Sequence, residues 1–396
     1  MKKISVFICV HLWIIFLFVS ISAQDFKTIQ DGIEYAEMTR EIDKTPVKMN
    51  LLKLDLTKVR LDVVHAFDEA IGVEKTSSIA TRHGAIAAIN AGFFRLDSSI
   101  FGGDAVGVLQ IDGKLLSESH NNRTTIGIIN GKDKTEVNFA HLKSTNIAGF
   151  GVDSEFSFSG INRERKSDEI ILFTPDFHKT TLTDSNGTEI VLSDCETKMG
   201  VSRCHKAEVF EEKGSTLIPQ NGFVISIGKD AIEKSNNIIY FARKTNSKPK
   251  DFHNIIRLVQ GIESVEKEEQ TFFSKAEDIT NGVPQLIKNG KIEITWEQEK
   301  ASKSFYETKH PRTAVAKLKD GKFLMVTIDG RSESSGGINL EDLAKLLLEF
   351  GATDAMNLDG GGSTTMFLDG KVVNKPSDKE GERRVSDAIL VTPRNK

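Results

Sequence analysis

Two aspartates in this chain occupy the same kind of position. VTIDGRSESSGG places Asp329 after an apolar run ending at Ile328, with Glu333 close behind, and AMNLDGGGS places Asp359 after Leu358. A carboxylate where a buried strand meets a glycine turn is held by a rigid scaffold and stays within reach of a substrate. Such acids can serve as nucleophile, general base or general acid. The plainer alternative is that they only tie down turns through side-chain bonds to backbone. The second stretch runs on as NLDGGGSTT, with Gly360, Gly361 and Gly362 followed by the hydroxyls of Ser363, Thr364 and Thr365. Glycines let backbone N–H groups approach a ligand and form a concavity for anions. A phosphate loop would need Lys-Ser/Thr after the last glycine, and a dinucleotide fingerprint would open a helix. Neither applies, because the following MFLDGKVV has the pattern of a strand and a hairpin turn.

The cationic counterpart is KHPRTA, where Pro311 restricts the backbone around His310 and Arg312 opens a new strand. An arginine on a strand edge can grip a phosphate through two parallel N–H bonds. Arg331 in DGR and Arg383 in GERRVS are further candidates, although a lone surface arginine is usually just solvated. Upstream, IAAINAGFFRLDSS repeats the design of apolar strand, polar end and glycine turn at Gly92. Asn90 suits a substrate hydroxyl, and Phe93 suits either a sugar face or the core. His310 reads as an acid or base, or as a packing residue before proline. There is no G-x-S-x-G nucleophile elbow, H-E-x-x-H zinc helix or EF-hand calcium loop. No cofactor is indicated beyond a divalent cation such as calcium or magnesium, for which Asp329, Asn357 and Asp359 offer oxygen ligands. Acid pairs, arginines and glycine turns suit a substrate that combines sugar and phosphate.

These residues must be positioned by strands. Seven Asn-Gly or Asp-Gly pairs, at 112, 130, 186, 221, 289, 320 and 369, sit beside or between apolar runs. Both residue types tolerate the positive φ of a type I′ hairpin turn, so antiparallel pairing is expected to dominate. Helices are fewer. In INLEDLAKLLLEFG, Asn339 can cap a helix whose apolar face is Leu340, Leu343, Ala344 and Leu347, with Gly351 ending it. A second helix is expected from Thr76 to His83, closed by Gly84, leading into AIAAIN as a buried strand. The pattern predicts an α+β fold, a strand-rich mixed or antiparallel sheet domain with a few packed helices.

MKKISVFICVHLWIIFLFVSISAQ has the order of a secretory signal peptide, two lysines, an apolar run, then small residues, so 1–24 is expected to be removed. The alternative is a retained anchor of near-spanning length. No later segment is apolar enough to cross a bilayer, and the mature protein is expected to be secreted or periplasmic. About 370 residues remain, read as a single domain over 25–396, with 236–275 as a charged insertion or surface region. A net charge of −4 provides no basic field for nucleic acid. Cys195 and Cys204, the two cysteines beyond the leader, are expected to form one local disulfide in an exported chain.

Taken in order, INAGFFR, HPRTA, IDGRSE, INLEDLA, NLDGGGSTT and PSDKEGERRVS resemble the blocks of the phosphodiester glycosidase domain family, with weaker likeness at NRER (Asn162 to Arg165) and FTP (Phe173 to Pro175). The resemblance runs across most of the mature chain. It implies hydrolysis of a sugar-1-phosphodiester, N-acetylglucosamine-1-phosphodiester being the reference substrate, to free sugar and a phosphomonoester. The matching positions are Asn90, Gly92, Phe93, Arg312, Asp329, Glu333, Asp359, Gly360 to Gly362, Ser363 and Arg383. The cysteine region and the charged stretch after Asn236 match no family block. The expected partner is a glycosyl phosphodiester or a phosphate-containing polysaccharide. The competing expectations are a metal-dependent phosphodiesterase that cuts P–O and a non-catalytic binder of envelope polysaccharide.

Overall fold

The computed structural model describes residues 26–150, 154–198, 200–245 and 256–394. The leader, 1–24, lies outside the described residues, as does the middle of the charged stretch 236–275. The fold is α+β and strand-rich. One 8-stranded sheet, one 12-stranded sheet, one 5-stranded sheet and a 2-stranded ribbon make up the described architecture. Among the described residues the ladders are antiparallel except for Gly160–Ile161 against Ile170–Phe173.

The 8-stranded sheet carries the chemistry-bearing ends. Its centre is Phe323–Ile328, Arg312–Leu318 and Ala352–Asn357, side by side in that order. Asp329 and Asp359 follow the first and last of these. One face of the sheet packs on the Leu340–Glu349 helix, whose Leu343, Ala344 and Leu347 join Met49, Leu51, Ala314 and Val326 in one apolar cluster. Asn339 caps this helix, its Oδ1 accepting from the Asp342 amide at 2.8 Å, and Gly351 leaves it at φ 89°. The opposite face meets the 12- and 5-stranded sheets through Leu52, Met325 and Met356 against Ile89, Ile126 and Ile389. The Thr76–Arg82 helix and the fully buried Ala87–Asn90 strand lie as their sequences indicate.

The turn dipeptides divide by what surrounds them. Asp112-Gly113, Asn289-Gly290 and Asp369-Gly370 have both residues at positive φ and close two-residue hairpins. Asp320-Gly321 also closes a hairpin, but with only its glycine left-handed. Asn186-Gly187 and Asn221-Gly222 have no positive φ, because they lead into strands from longer connections. Asp43-Lys44, both left-handed, make a hairpin turn that carries no glycine.

Within 236–275, the Asn236–Thr245 helix buries Ile238, Ile239 and Ala242, and Ile256–Ser264 lies in the 12-stranded sheet between Thr135–Phe150 and Val201–Glu211. Cys195 and Cys204 face each other in the Gly187–Lys198/Val201–Glu211 hairpin and are joined by a disulfide. Among the described residues no helix is long and apolar enough to cross a membrane.

Candidate active site

Two motifs distant in sequence, INAGFFR and NLDGGGSTT, meet at Asp359. Its amide donates to Ala91 O at 2.9 Å, and its carbonyl accepts from Asn90 Nδ2 at 2.7 Å. Asn90 Oδ1 in turn accepts from Thr313 Oγ1 and from the Thr365 amide. All the polar atoms of Asn90 are therefore committed to the scaffold, clamping NAGFF to both ends of NLDGGGSTT. Asn90 reaches no open surface, which explains its complete burial.

Asp359 is partly exposed, and its carboxyl is pushed up to about 6. Burial is the main cause, with the charge of Asp387 adding to it, against the Ser363 hydroxyl, the Gly360 amide and Arg383, which favour the anion. Only the Gly360 amide, 2.9 Å from Oδ1, lies at hydrogen-bond distance. Ser363 Oγ stands near the carboxylate but has no partner within that range, as is true of Thr364 Oγ1 and Thr365 Oγ1. Three successive hydroxyls are thus buried without a protein partner, and Ser363 Oγ is the one beside the acid.

The glycines also make room for neighbouring side chains. The amides of Gly360, Gly361, Ser363 and Thr364 are already taken, by Asp359 Oδ1, Pro311 O, Gly360 O and Gly361 O. What the missing side chains allow is close approach by cations. A methyl on Gly362 would lie 2.1 Å from Arg383 Nη2, and one on Gly361 would lie 3.0 Å from Arg331 Nη2. Arg383 is held by a two-point pair with Asp378, Nε to Oδ2 at 2.7 Å and Nη2 to Oδ1 at 3.1 Å. Its segment is anchored in turn by Glu382, which accepts from the Ser77 amide and hydroxyl at the start of the Thr76–Arg82 helix. Arg331, exposed and at φ 59°, donates to Ser377 Oγ.

Arg312 is placed otherwise. Its guanidinium is buried, with Nε on Ile338 O and Nη2 on Phe305 O and Thr308 O, and it lies 4.7 Å from the Phe305 ring centroid. Burial, with Arg331 nearby, lowers its pKa to about 10. The three carbonyls belong to the Lys303–Glu307 helix, the residue after it and the Ile338 bridge, and Arg312 ties these segments together over the strand end. His310 pairs with Ile338 through its backbone, and burial beside Arg312 and Arg331 lowers its pKa.

Asp329 is buried deeper than Asp359. Its Oδ1 accepts from the Lys375 amide and from Asn374 Nδ2, while Oδ2 is buried without a partner. Burial raises its pKa against those two bonds. Asn374, which no sequence pattern marked, also donates to Thr364 O and accepts from the Met366 amide, so one side chain ties Asp329 to the glycine loop. Glu333 is exposed on the turn beyond. Among the described residues no group of three or more His, Cys, Asp or Glu could hold a metal ion. Asn357 gives its Nδ2 to Val283 O and Leu358 O.

Gly92 and Phe93 lie on the same side as Asp359. The Gly92 amide donates to Asp387 Oδ1, and a methyl there would lie 2.8 Å from both Asn281 Nδ2 and Thr280 Oγ1. The Phe93 ring is partly exposed and edge-on to Phe305, 6.0 Å between centroids. A cleft of about 1370 Å³ lies elsewhere, between Asp62–His65, Pro175–Lys179 and Thr216–Gln220. It contains none of these residues.

The sequence pattern of the phosphodiester glycosidase family matches residues 200–392. Over 84 residues the chain is 42% identical to the SPbeta prophage-derived uncharacterized protein YomE of Bacillus subtilis (strain 168), 21% of this chain and 13% of that protein. Over 128 residues it is 35% identical to N-acetylglucosamine-1-phosphodiester alpha-N-acetylglucosaminidase of Bos taurus, 28% of this chain and 24% of that protein. The match thus spans a quarter or less of either relative. In fold, the chain is similar to a hypothetical protein from Synechocystis, with TM-score 0.72 and 21% identity over 94% of this chain and 64% of the other. Residues 200–392 of the chain thus belong to the phosphodiester glycosidase family.

Proposed function

We propose that the protein is an exported hydrolase that cleaves a glycosyl-1-phosphodiester between the sugar carbon and the phosphate oxygen. The observation that carries this reading is Asp359, a carboxyl raised to about 6 at a strand end, with Arg383 and Arg331 on the glycine loop beside it. An acid so poised is mostly ionised near neutrality and can take up a proton during reaction. Water supplies the oxygen added to the sugar carbon. The electron pair of the broken C–O bond leaves with the phosphate, which departs as a monoester. Phosphate is already a competent leaving group, so the main task is to stabilise charge on both sides of the breaking bond.

Asp359 acts as nucleophile or as general base, with Asp329 as the second acid and Glu333 at the rim. Arg383 and Arg331 bind the phosphate, assisted by the free Ser363 and Thr364 hydroxyls, and Phe93 packs against the sugar. Arg312 and Asn90 support catalysis by holding the loops that they bond. Hydrolysis of an N-acetylglucosamine-1-phosphodiester in ¹⁸O-water tests the reading. Free sugar carrying the label is the expected product. Label in the phosphate would mean P–O cleavage and replace this mechanism with that of a phosphodiesterase. The cognate sugar, and a polymeric rather than small phosphodiester, are addressed by the same assay with varied substrates.

A further inference from the structure

The cations named so far on the glycine loop came from motifs. One more, Arg123, was marked by none. It follows Asn121 and Asn122, both left-handed at φ 54° and 49°, a conformation asparagine tolerates. These two residues turn the chain immediately before the Thr124–Asn130 strand. The Arg123 guanidinium then lies over the Phe93 ring, 5.4 Å from its centroid. Phe93 is two residues beyond Ala91, whose carbonyl holds the Asp359 amide, so Arg123 shares a wall with the candidate acid.

Arginine has five N–H donors. Among the described residues, Arg123 uses one nitrogen, Nη1, on Val106 O at 2.8 Å. Its Nε is buried with no partner. No carboxylate of the described residues lies within 4.0 Å of it. The two acids whose charge it feels are Glu299 and Asp359. Glu299 is spent, because its oxygens accept from the Thr124 and Gln285 amides, from Thr295 Oγ1 and from His141. Of the other arginines here, Arg312 is met by three carbonyls and Arg383 by Asp378, while Arg331 is exposed to solvent. A partly buried guanidinium with an unmet N–H is costly unless something negative meets it.

We infer that Arg123 is a substrate-binding residue that receives a non-bridging oxygen of the phosphodiester, with Phe93 beneath it fixing the plane of the guanidinium. This places the phosphate between Arg123 on the Phe93 side and the Arg331/Arg383 pair on the glycine-loop side, above Asp359. It rests on the glycosidase reading for the identity of the substrate, but not for the presence of an anion site. The ligand class is a phosphate ester or diester. A neutral sugar gains nothing from Arg123.

The test uses Arg123→Gln and, to retain a charge if that variant folds poorly, Arg123→Lys. Calorimetric titration with N-acetylglucosamine 1-phosphate, inorganic phosphate and N-acetylglucosamine separates charge recognition from sugar recognition. Arg123→Gln should weaken binding of both phosphates by about 10- to 100-fold, the range expected for a lost charge-assisted hydrogen bond. Binding of the neutral sugar should stay within about twofold, and Arg123→Lys should fall between. In turnover of the phosphodiester, KM should rise by a similar factor with kcat moving less. Equal weakening of phosphate and sugar would make Arg123 a scaffold residue and overturn the proposal. So would a wild-type protein that binds neither phosphate at millimolar concentration. If wild type binds phosphate through Arg123 but releases no sugar, the anion site stands and the glycosidase reading fails.

Discussion

At the scale of the residue, Asp359 makes the sharpest claim. A carboxyl usually titrates near 3.9. Here burial lifts it to about 6, so it changes charge in a range where activity can follow it. As nucleophile or base it must be ionised, and kcat/KM should rise with pH through about 6 and level off by about 8. Asp359→Asn should reduce turnover at least a hundredfold. A profile that is flat or falling between pH 4.5 and 7.5 would take Asp359 out of the ionised role. The same shift has a consequence for stability. An acid with a raised folded pKa favours folding when protonated, so its ionisation costs stability as pH rises from about 4 to about 6 and leaves a constant deficit above. Asn keeps the acceptor for the Gly360 amide and removes the charge. Asp359→Asn should therefore unfold at a higher temperature than wild type at pH 8, with the gain fading toward pH 4. A substitution that abolishes activity and stabilises the fold is the mark of a site held under electrostatic strain.

At the scale of the element, the glycine loop shows what sequence can and cannot disclose. NLDGGGSTT was legible as a turn at a strand end with an acid, because apolar run, acid and glycine follow one another along the chain. The purpose of the glycines was not legible. It depends on Arg331 and Arg383, which arrive from other parts of the chain and rest where side chains would be. Asn374 and Arg123 escaped notice for the same reason. A single polar residue between strands has no period, and only the fold reveals its partners. Arg312 was visible as the start of a strand, but not as the tie between three backbone carbonyls. Elements with strong local codes came through, including the Asn339-capped helix and the Asp-Gly and Asn-Gly hairpins whose flanking strands pair directly. The loop also yields a test. In Gly362→Ala the new methyl would meet the ends of two flexible side chains, Arg383 and Asp378, so they can shift at little cost to the fold. We expect an unfolding temperature within a few degrees of wild type and a loss of at least tenfold in kcat/KM. Unchanged kcat/KM would show that Arg383 need not sit on the loop.

At the scale of the whole molecule, the sheets that form the site are joined by a buried ionic cluster. Glu299 accepts from the Thr124 amide in the 12-stranded sheet and from the Gln285 amide in the 8-stranded sheet. It is 1% exposed, and a lone carboxylate there would be severely penalised. His141 supplies the opposite charge, with Nε2 3.2 Å from Glu299 and Nδ1 2.6 Å from Glu266. Burial opposes its protonation, but the two carboxylates prevail and raise it to about 9. Thr124 adjoins Arg123, so the cluster also leaves that arginine without a competing acid. A base raised from its ordinary value of about 6.5 contributes stability that is complete below that pH and is lost as pH rises through about 9. Urea midpoints of wild type should thus decline between pH 7 and 9.5. His141→Ala strands two carboxylates and should cost about 3–5 kcal/mol at pH 6.5, the usual effect of breaking a buried pair. Because the titrating group is gone, the variant's midpoint should change little over the range in which wild type declines, and the two curves should converge toward pH 9.5. Parallel curves, or a loss under about 1 kcal/mol at pH 6.5, would show that the sheets hold together by apolar packing alone and that His141 is a bystander to the seam beneath the site.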